Sequence, residues 1–435
     1  MFNRAEIIDS NFLTFVNDGK FPHAKSPIDI PGFRFRNHDL ISIFESQVIS
    51  RHMDLKARLL KEDGKCFYTI GSSGHEGNAV FGRVFSLNDI AFLHYRSTPF
   101  FIERSKLAHG ATPIYDTALS FAASSEDPIS GGRHKVIGSK KLNIPPQTST
   151  IASHLPKAVG TAVSIDRAKD LSIQERNLKD GSIVLCSFGD ASANHATALS
   201  AFNTASLIQH SGGHVPIVFI CEDNGIGISV PTEESWIEKN FSQRNGIKYI
   251  KADGLNIIDL LHKTSLANEF SKTKRKPVFL HMKTVRLLGH AGSDIEVGYK
   301  TLNEIETIEF NDPLLHTARI MIDKKLLSKE DIISIYENSR MRVSQVFDQA
   351  CTRPKLNNSK NVMKSITASN IKRKAPSLPN EAKRRGVFDK EYQRLNNKNH
   401  MAGLINYALS DILLRYSNTV VFGEDVGKKG GVYHI

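Results

Sequence analysis

Two short apolar runs, Ile183-Val184-Leu185-Cys186-Ser187-Phe188 and Pro216-Ile217-Val218-Phe219-Ile220-Cys221, each end in a polar turn. Gly189-Asp190 follows the first and Asp223-Asn224-Gly225-Ile226 follows the second. Runs of this length bounded by turn residues read as buried strands. Between them, residues 193–209 have helical spacing and stop near Gly212 and Gly213. A strand–helix–strand unit of this kind builds a parallel sheet, and open α/β sheets bind ligands at the carboxyl edge of their strands. That edge presents an acid and an amide side by side, together with a backbone carbonyl. Hard oxygen donors of this type are what Mg²⁺ takes when it also holds a diphosphate. A magnesium–diphosphate cofactor site is therefore expected here.

The chain has 435 residues, enough for two or three domains of ordinary size, and 40% hydrophobic with 23% charged residues suits a substantial buried core. No apolar stretch is long enough for a membrane span, and residues 1–20 lack a signal-peptide core. The four cysteines, Cys66, Cys186, Cys221 and Cys351, have no ligand spacing, and two of them fall inside predicted strands. Reduced thiols in a cytoplasmic protein, with no membrane partner, are the expectation. A net charge of +12 raises the question of nucleic acid. Much of it lies in residues 355–398, where Ile371-Lys372-Arg373-Lys374 and Lys383-Arg384-Arg385 sit among Asn, Ser and Pro. That composition reads as a linker, and no nucleic-acid motif accompanies it. No nucleic-acid partner is expected.

The pattern predicts a helix over 40–60, a glycine-rich loop at 71–77, a short strand ending near Tyr95 and a long irregular loop over 131–149. A helix over 155–170 carries Pro156 in its first turn. After the 183–221 unit come a strand at 248–251, a helix at 257–271, a strand at 277–284 and helices over 303–350. The reading is an α/β fold, a doubly wound parallel sheet with helices on both faces. Residues 1–350 form that domain and 351–398 a basic polar linker. Residues 399–435 are expected to begin a truncated second α/β domain, with a helix at 401–414 and a strand at 419–422.

With these motifs assembled, residues 44–346 resemble the alpha subunit of the thiamine-diphosphate-dependent decarboxylating component of 2-oxoacid dehydrogenase complexes, of branched-chain or pyruvate type. The tail from Asn399, with Gly423-Glu424-Asp425-Val426 and Gly430-Gly431-Val432-Tyr433, resembles the start of the beta subunit. The resemblance implies thiamine diphosphate and Mg²⁺ as cofactors. Asp190 and Asn224 match metal ligands, and Ile226 matches the residue that lends its main-chain carbonyl. Gly189, Ala191 and Asn194 match positions beside the diphosphate. Ala191 stands where the family has a second glycine, and Asp223 where it has a first asparagine; neither change removes a ligand. Taken alone, a Gly-Asp after a strand is most often a turn or a cap.

Tyr95-Arg96 match the Tyr-Arg pair that contacts the diphosphate, a task suited to the planar guanidinium fork. The stretch 285–301 resembles the family's phosphorylation loop, which places Arg286 near the phosphates and His290 at the substrate-facing mouth as the catalytic candidate. Ala291 stands where mammalian members carry the regulated serine, so that switch has no hydroxyl to use there. Ile151 matches the apolar residue against which the cofactor bends. His154 replaces a glutamine of the family's potassium-binding segment, and His134 follows the Gly132-Arg133 match. The implied activity is oxidative decarboxylation of a 2-oxoacid, branched-chain acids favoured over pyruvate, with transfer to the lipoyl group of a partner acyltransferase. Homo-oligomers built through alpha-type and beta-type domains are implied as well. The glutamate that meets the aminopyrimidine is expected beyond Ile435. A non-catalytic remnant and a transketolase-type enzyme are the alternatives.

Overall fold

The computed structural model describes residues 3–23, 25–67, 70–174, 176–367 and 377–432. It divides into two units: Met1–Ile165 with Lys179–Met363, and Asp166–Leu178 with Lys364–Ile435. Five strands, β1 (Ile90–Phe92), β2 (Val184–Gly189), β3 (Ile217–Asp223), β4 (Lys248–Asp253) and β5 (Val278–Lys283), form one sheet in the order β1-β2-β3-β5-β4. All four pairings are parallel.

The helices before β2 are α1 (Arg4–Asp18), α2 (Asn37–Glu62), α3 (Ala79–Val84), α4 (Thr98–Ser105), α5 (Pro113–Phe121) and α6 (His154–Asp170). Three more, α7 (Ala196–His210), α8 (Trp236–Phe241) and α9 (Ile257–Lys274), connect the later strands. Beyond β5 come α10 (Leu302–Phe310), α11 (Pro313–Asp323) and α12 (Lys329–Cys351). Their starts are chemically marked. Asn256 caps α9, reciprocal boxes Thr301/Glu304 and Ser328/Asp331 open α10 and α12, and Asp312 caps α11 ahead of Pro313.

Side chains alternate across a strand, so each strand serves two faces. On one face Phe202 of α7 meets Phe188, Phe219 and Phe279 at ring separations of 5.6, 4.9 and 5.8 Å, and Phe241 of α8 stacks on Phe279 at 4.3 Å. The intervening residues Leu185, Val218, Ile220, Leu280 and Met282 share a core with Ile257, Ile258, Leu260 and Leu261 of α9. The sheet is thus covered on both sides. Among the described residues no helix is long and apolar enough to cross a membrane.

Several boundaries move. Residues 191–194 form a 3₁₀ turn and α7 starts only at Ala196, because the His195 ring accepts from the Thr197 N–H and caps the helix there. Strand β1 stops at Phe92, three residues before Tyr95. In the second unit, α14 (Glu381–Phe388) and α15 (Met401–Arg415) follow the short α13 (Ser359–Met363) of the first. Part of the basic tract is therefore helical, with Arg384 bidentate to Asp411 of α15 at 2.7 and 3.0 Å. The strand expected at 419–422 is absent: no neighbouring strand takes its backbone groups, and Phe422 is 88% exposed. The Ile371–Lys374 cluster and Tyr433 lie outside the described residues.

Phe279, fully buried where α7 and α8 meet the sheet, is the aromatic anchor of that face. Phe279→Ala is expected to cost about 3–5 kcal/mol in urea unfolding of the whole chain. A loss below about 1 kcal/mol would show that this layer repacks freely.

Candidate active site at the carboxyl edge of the sheet

Gly189, the last residue of β2, pairs with Glu222 of β3, so Asp190 and Asp223 leave the sheet side by side. Asp190, 2% exposed, accepts from the Thr232 hydroxyl at 2.7 Å and stands within reach of the Asp223 charge. Burial first, and then the Asp223 charge, push the Asp190 carboxyl up to about 6. Asp223 moves the opposite way. Burial alone would raise it, but His281 Nε2 at 2.7 Å and Lys283 Nζ at 2.9 Å hold it well below the usual carboxylate range. His281 Nδ1 in turn accepts from the Tyr249 hydroxyl at 2.6 Å, completing a Tyr249–His281–Asp223 chain beside Asp190.

Beyond β3 the backbone turns through Gly225 at φ +77°. Asn224 Oδ1 accepts from the Ile226 N–H at 3.1 Å, and its Nδ2 donates to His75 Nε2 at 2.9 Å. The loop closes as a small hairpin, with Gly227 N–H to Val230 O and Thr232 N–H to Gly225 O both at 2.9 Å. This closure delivers the Thr232 hydroxyl to Asp190. Buried Arg286 clamps the hairpin, donating to the carbonyls of Gly227 at 2.6 Å and Ile228 at 2.9 Å. Ala191 lies against Gly227.

Arg96 is buried and donates to the Gly71 carbonyl at 2.6 Å and to His290 Nδ1 at 3.2 Å. The His290 ring therefore carries its proton on Nε2. Burial, with the Arg96 and Arg286 charges, lowers His290 to about 4, so it is neutral at physiological pH. Tyr95 packs edge-on against His290 at 6.0 Å, with the Arg96 guanidinium 5.1 Å from its ring.

The glycine-rich loop is held from below. Arg51, fully buried on α2, grips Asp312 bidentately at 2.7 and 2.8 Å and reaches Glu76 Oε1 at 2.8 Å. Glu76 Oε2 takes the Gly74 N–H at 2.7 Å, and Asp54 takes the Ser73 N–H at 2.8 Å. Gly74 has φ +101° and passes so close to the Val285 carbonyl that no Cβ fits. The loop thereby presents His75, whose Nδ1 bonds Glu222 Oε2 at 2.8 Å.

Not every expected residue joins this group. Ile151 is 44% exposed on the turn before α6, and Asn194 is exposed with its Oδ1 taken by Trp236 Nε1 at 2.7 Å. His134 contacts Ser149 at the surface, whereas His154 reaches inward to the Ser187 carbonyl at 2.8 Å. The sequence reading passed over His75, Glu222, Thr232, His281 and Tyr249, and left His94 unassigned. Adjacency was the available signal: His75 sits in the glycine-rich loop, His94 beside Tyr95-Arg96, and Glu222 beside Asp223.

A buried carboxyl pushed up to about 6 against a second carboxylate is a place of excess negative charge. With the Asn224 amide and the carbonyls of its turn, that chemistry fits a hard dication such as Mg²⁺.

Residues 45–359 match the family model described as dehydrogenase E1 component. The chain belongs to the dehydrogenase E1 component family. It is similar to the mitochondrial 2-oxoisovalerate dehydrogenase subunit alpha of Mus musculus, 25% identical over 319 residues covering 72% of this chain and 67% of the mouse protein. The 2-oxoisovalerate dehydrogenase subunit alpha of Bacillus subtilis (strain 168) is 26% identical over 326 residues, 73% of this chain and 92% of that protein. The mitochondrial pyruvate dehydrogenase E1 component subunit alpha of Dictyostelium discoideum is 27% identical over 186 residues, 42% of this chain and 48% of that protein. This E1 chain is an enzyme subunit of 2-oxoacid dehydrogenase type, built on a five-stranded parallel sheet.

The raised Asp190 carboxyl has a stability consequence. Its ionisation is disfavoured by folding, a penalty absent below the unfolded value of about 3.9 and complete above about 6. In EDTA, Asp190→Asn is expected to be more stable than the parent at pH 8 by on the order of 2–3 kcal/mol, the difference vanishing by about pH 4. Urea unfolding at the two pH values checks this, and a destabilised variant at pH 8 would contradict it.

Proposed function

We propose that this chain is the alpha-type part of a 2-oxoacid dehydrogenase that decarboxylates branched-chain 2-oxoacids in preference to pyruvate. Thiamine diphosphate and Mg²⁺ are its cofactors, and the acyl product passes to the lipoyl group of a partner acyltransferase. The observation that carries the reading is the Asp190–Asp223 carboxyl pair, buried where two adjacent parallel strands end. The preference for branched acids is supported by the 2-oxoisovalerate dehydrogenase relatives, which align over more of this chain than the Dictyostelium pyruvate enzyme does.

Asp190, Asn224 and the Ile226 carbonyl would hold the metal. Thiamine diphosphate, when bound, supplies the electron sink for loss of carbon dioxide. The chain's own residues bind and orient. Gly189 and Ala191 keep the edge free of bulk, and Arg286 fixes the hairpin that carries Ile226 and Thr232. Tyr95 and Arg96 form the wall on which His290 rests; Asn194 and Ile151 stay proposed cofactor contacts although they stand outside this group. Neutral His290, protonated on Nε2, suits hydrogen-bond donation to a substrate oxygen rather than charge neutralisation.

We assign residues 1–350 to the diphosphate-binding domain, 351–398 to a connecting region and 399–435 to the start of a beta-type domain. The Gly-Glu-Asp-Val motif supports the last assignment, as does α15, whose Leu404, Ile405, Ile412 and Leu413 remain exposed and suit packing against further elements. Assembly through alpha-type and beta-type domains follows from it. None of the four cysteines is in a disulfide and three of them are buried, which fits the reducing cytoplasm.

Decarboxylation should be assayed with 3-methyl-2-oxobutanoate and pyruvate, on the chain together with whatever beta-type partner completes it. Higher kcat/KM is expected for the branched acid, and Asp190→Ala should abolish cofactor-dependent turnover. Full activity of Asp190→Ala at saturating magnesium would remove Asp190 from the metal site.

A further inference from the structure

The alternation that places Asp190 and Asp223 on the α7/α8 face of the sheet sends Glu222 to the other face. There Glu222 meets His75, from the glycine-rich loop, and His94, which follows β1. All three side chains are buried, and one donor atom from each lies within 4.8 Å of the other two. We propose that His75, His94 and Glu222 bind a second divalent cation of borderline softness, of which Zn²⁺ is the type, on the opposite face from the hard-oxygen site.

Three observations support the site. First, both ring nitrogens of His94 and Oε1 of Glu222 are buried and have no hydrogen-bond partner. Buried polar groups are ordinarily satisfied, so an unpartnered imidazole facing an unpartnered carboxylate oxygen indicates a missing ligand. Second, two imidazoles and a carboxylate are a ligand set zinc takes with a fourth position left to water, whereas Mg²⁺ avoids nitrogen donors. Tetrahedral zinc spaces its ligand atoms by about 3.4 Å, so the His75–Glu222 pair, at 2.8 Å, must open slightly while the His94 ring, within 4.8 Å, moves in. Gly189 leaves room for that: an added Cβ there would come no nearer to His94 than 3.5 Å.

Third, an outer layer already orients the ligands. The Asn224 amide meets His75 Nε2 at 2.9 Å, leaving Nδ1 toward Glu222; ligation through Nδ1 moves the ring proton to Nε2 and turns the amide so that its oxygen accepts it, while Asn78 Nδ2 donates to Glu222 Oε2 at 3.3 Å. The main chain of His94 is pinned by its N–H to the Ser187 hydroxyl at 2.8 Å. Such outer partners set ring orientation in metal sites. The inference does not rest on the thiamine diphosphate reading.

The test is a titration of the full chain, stripped with EDTA and free of thiamine diphosphate, with Co²⁺ as the spectroscopic stand-in for Zn²⁺. The expected result is an intense visible band of low-coordinate Co²⁺. His94→Ala and Glu222→Gln should each weaken binding by about 100-fold or more, while Asp190→Ala leaves it unchanged. Zinc X-ray absorption on the unaltered chain gives a second readout that needs no variant, and two imidazoles in the coordination shell are expected. Absence of the band, a shell without imidazole, or binding lost in Asp190→Ala and kept in His94→Ala would overturn the proposal. None of those results bears on cofactor-dependent decarboxylation, so the two readings fail separately.

Discussion

The register of β2 against β3 decides what stands at the edge of this sheet. Because Gly189 is opposite Glu222, the next residue on each strand is an aspartate, and the two carboxyls meet in a buried place. Like charges at contact cannot both ionise cheaply, and the surroundings divide the load unequally. Asp223 receives two cationic or N–H partners and stays ionised; Asp190 receives one hydroxyl and is pushed up. An incoming dication therefore finds one carboxylate already committed to the protein and the other still in need of charge. The asymmetry favours Asp190 as the proposed ligand, with Asp223 committed to His281 and Lys283 beside it.

A second constraint supports the first from beneath. The Arg51–Asp312–Glu76 cluster is fully enclosed, and buried ion pairs of this kind do not guarantee stability, since desolvation offsets much of their attraction. What the cluster does provide is direction. One guanidinium joins α2 to the start of α11 and to the glycine-rich loop, and Glu76 then fixes Gly74. Removing Arg51 would leave the Glu76 and Asp312 carboxyls buried without their cation, so the loop geometry and His75 depend on a cluster that reaches Asp312, far along the chain.

Much of the architecture was legible in the sequence. The apolar runs at 183–188 and 216–221 were strands because short runs of this kind, rich in β-branched and aromatic residues, leave little alternative between turn residues. Helices such as α9 announced themselves by spacing, and the structure adds the Asn256 cap. The strand expected at 419–422 failed for a reason that local pattern does not carry, since a strand exists only where another offers it hydrogen bonds. The placement of Asp190 and Asn224 at the carboxyl edge was legible because motif and topology coincided. His281 and Tyr249 were not, as a histidine within an apolar strand looks the same whether it packs or relays. Their role depends on β5 lying between β3 and β4, since the pairing of β5 with β3 is out of chain order.

The arginines show most clearly where motif and geometry diverge. Arg96 and Arg286 match residues that serve phosphates, yet each spends much of its planar fork on backbone carbonyls, Gly71 for one and Gly227 with Ile228 for the other. A guanidinium bound to carbonyls remains fully charged, so it still contributes positive potential to the edge. Its hydrogen bonds, though, are directed at loops. The 71–77 loop and the 225–232 hairpin are the two segments that bring His75, Asn224 and Thr232 to the site. The same charge that would attract a diphosphate also holds in place the loops that receive it. Arg286→Lys tests the distinction physically: an ammonium keeps the charge but lacks the fork to bridge two carbonyls. If clamping matters more than charge, that variant should loosen the hairpin and weaken magnesium–diphosphate binding by about tenfold, or ~1.4 kcal/mol, at unchanged net charge. Calorimetric titration with magnesium and the cofactor reads the affinity, and hydrogen exchange at Gly227 and Thr232 reads the loop.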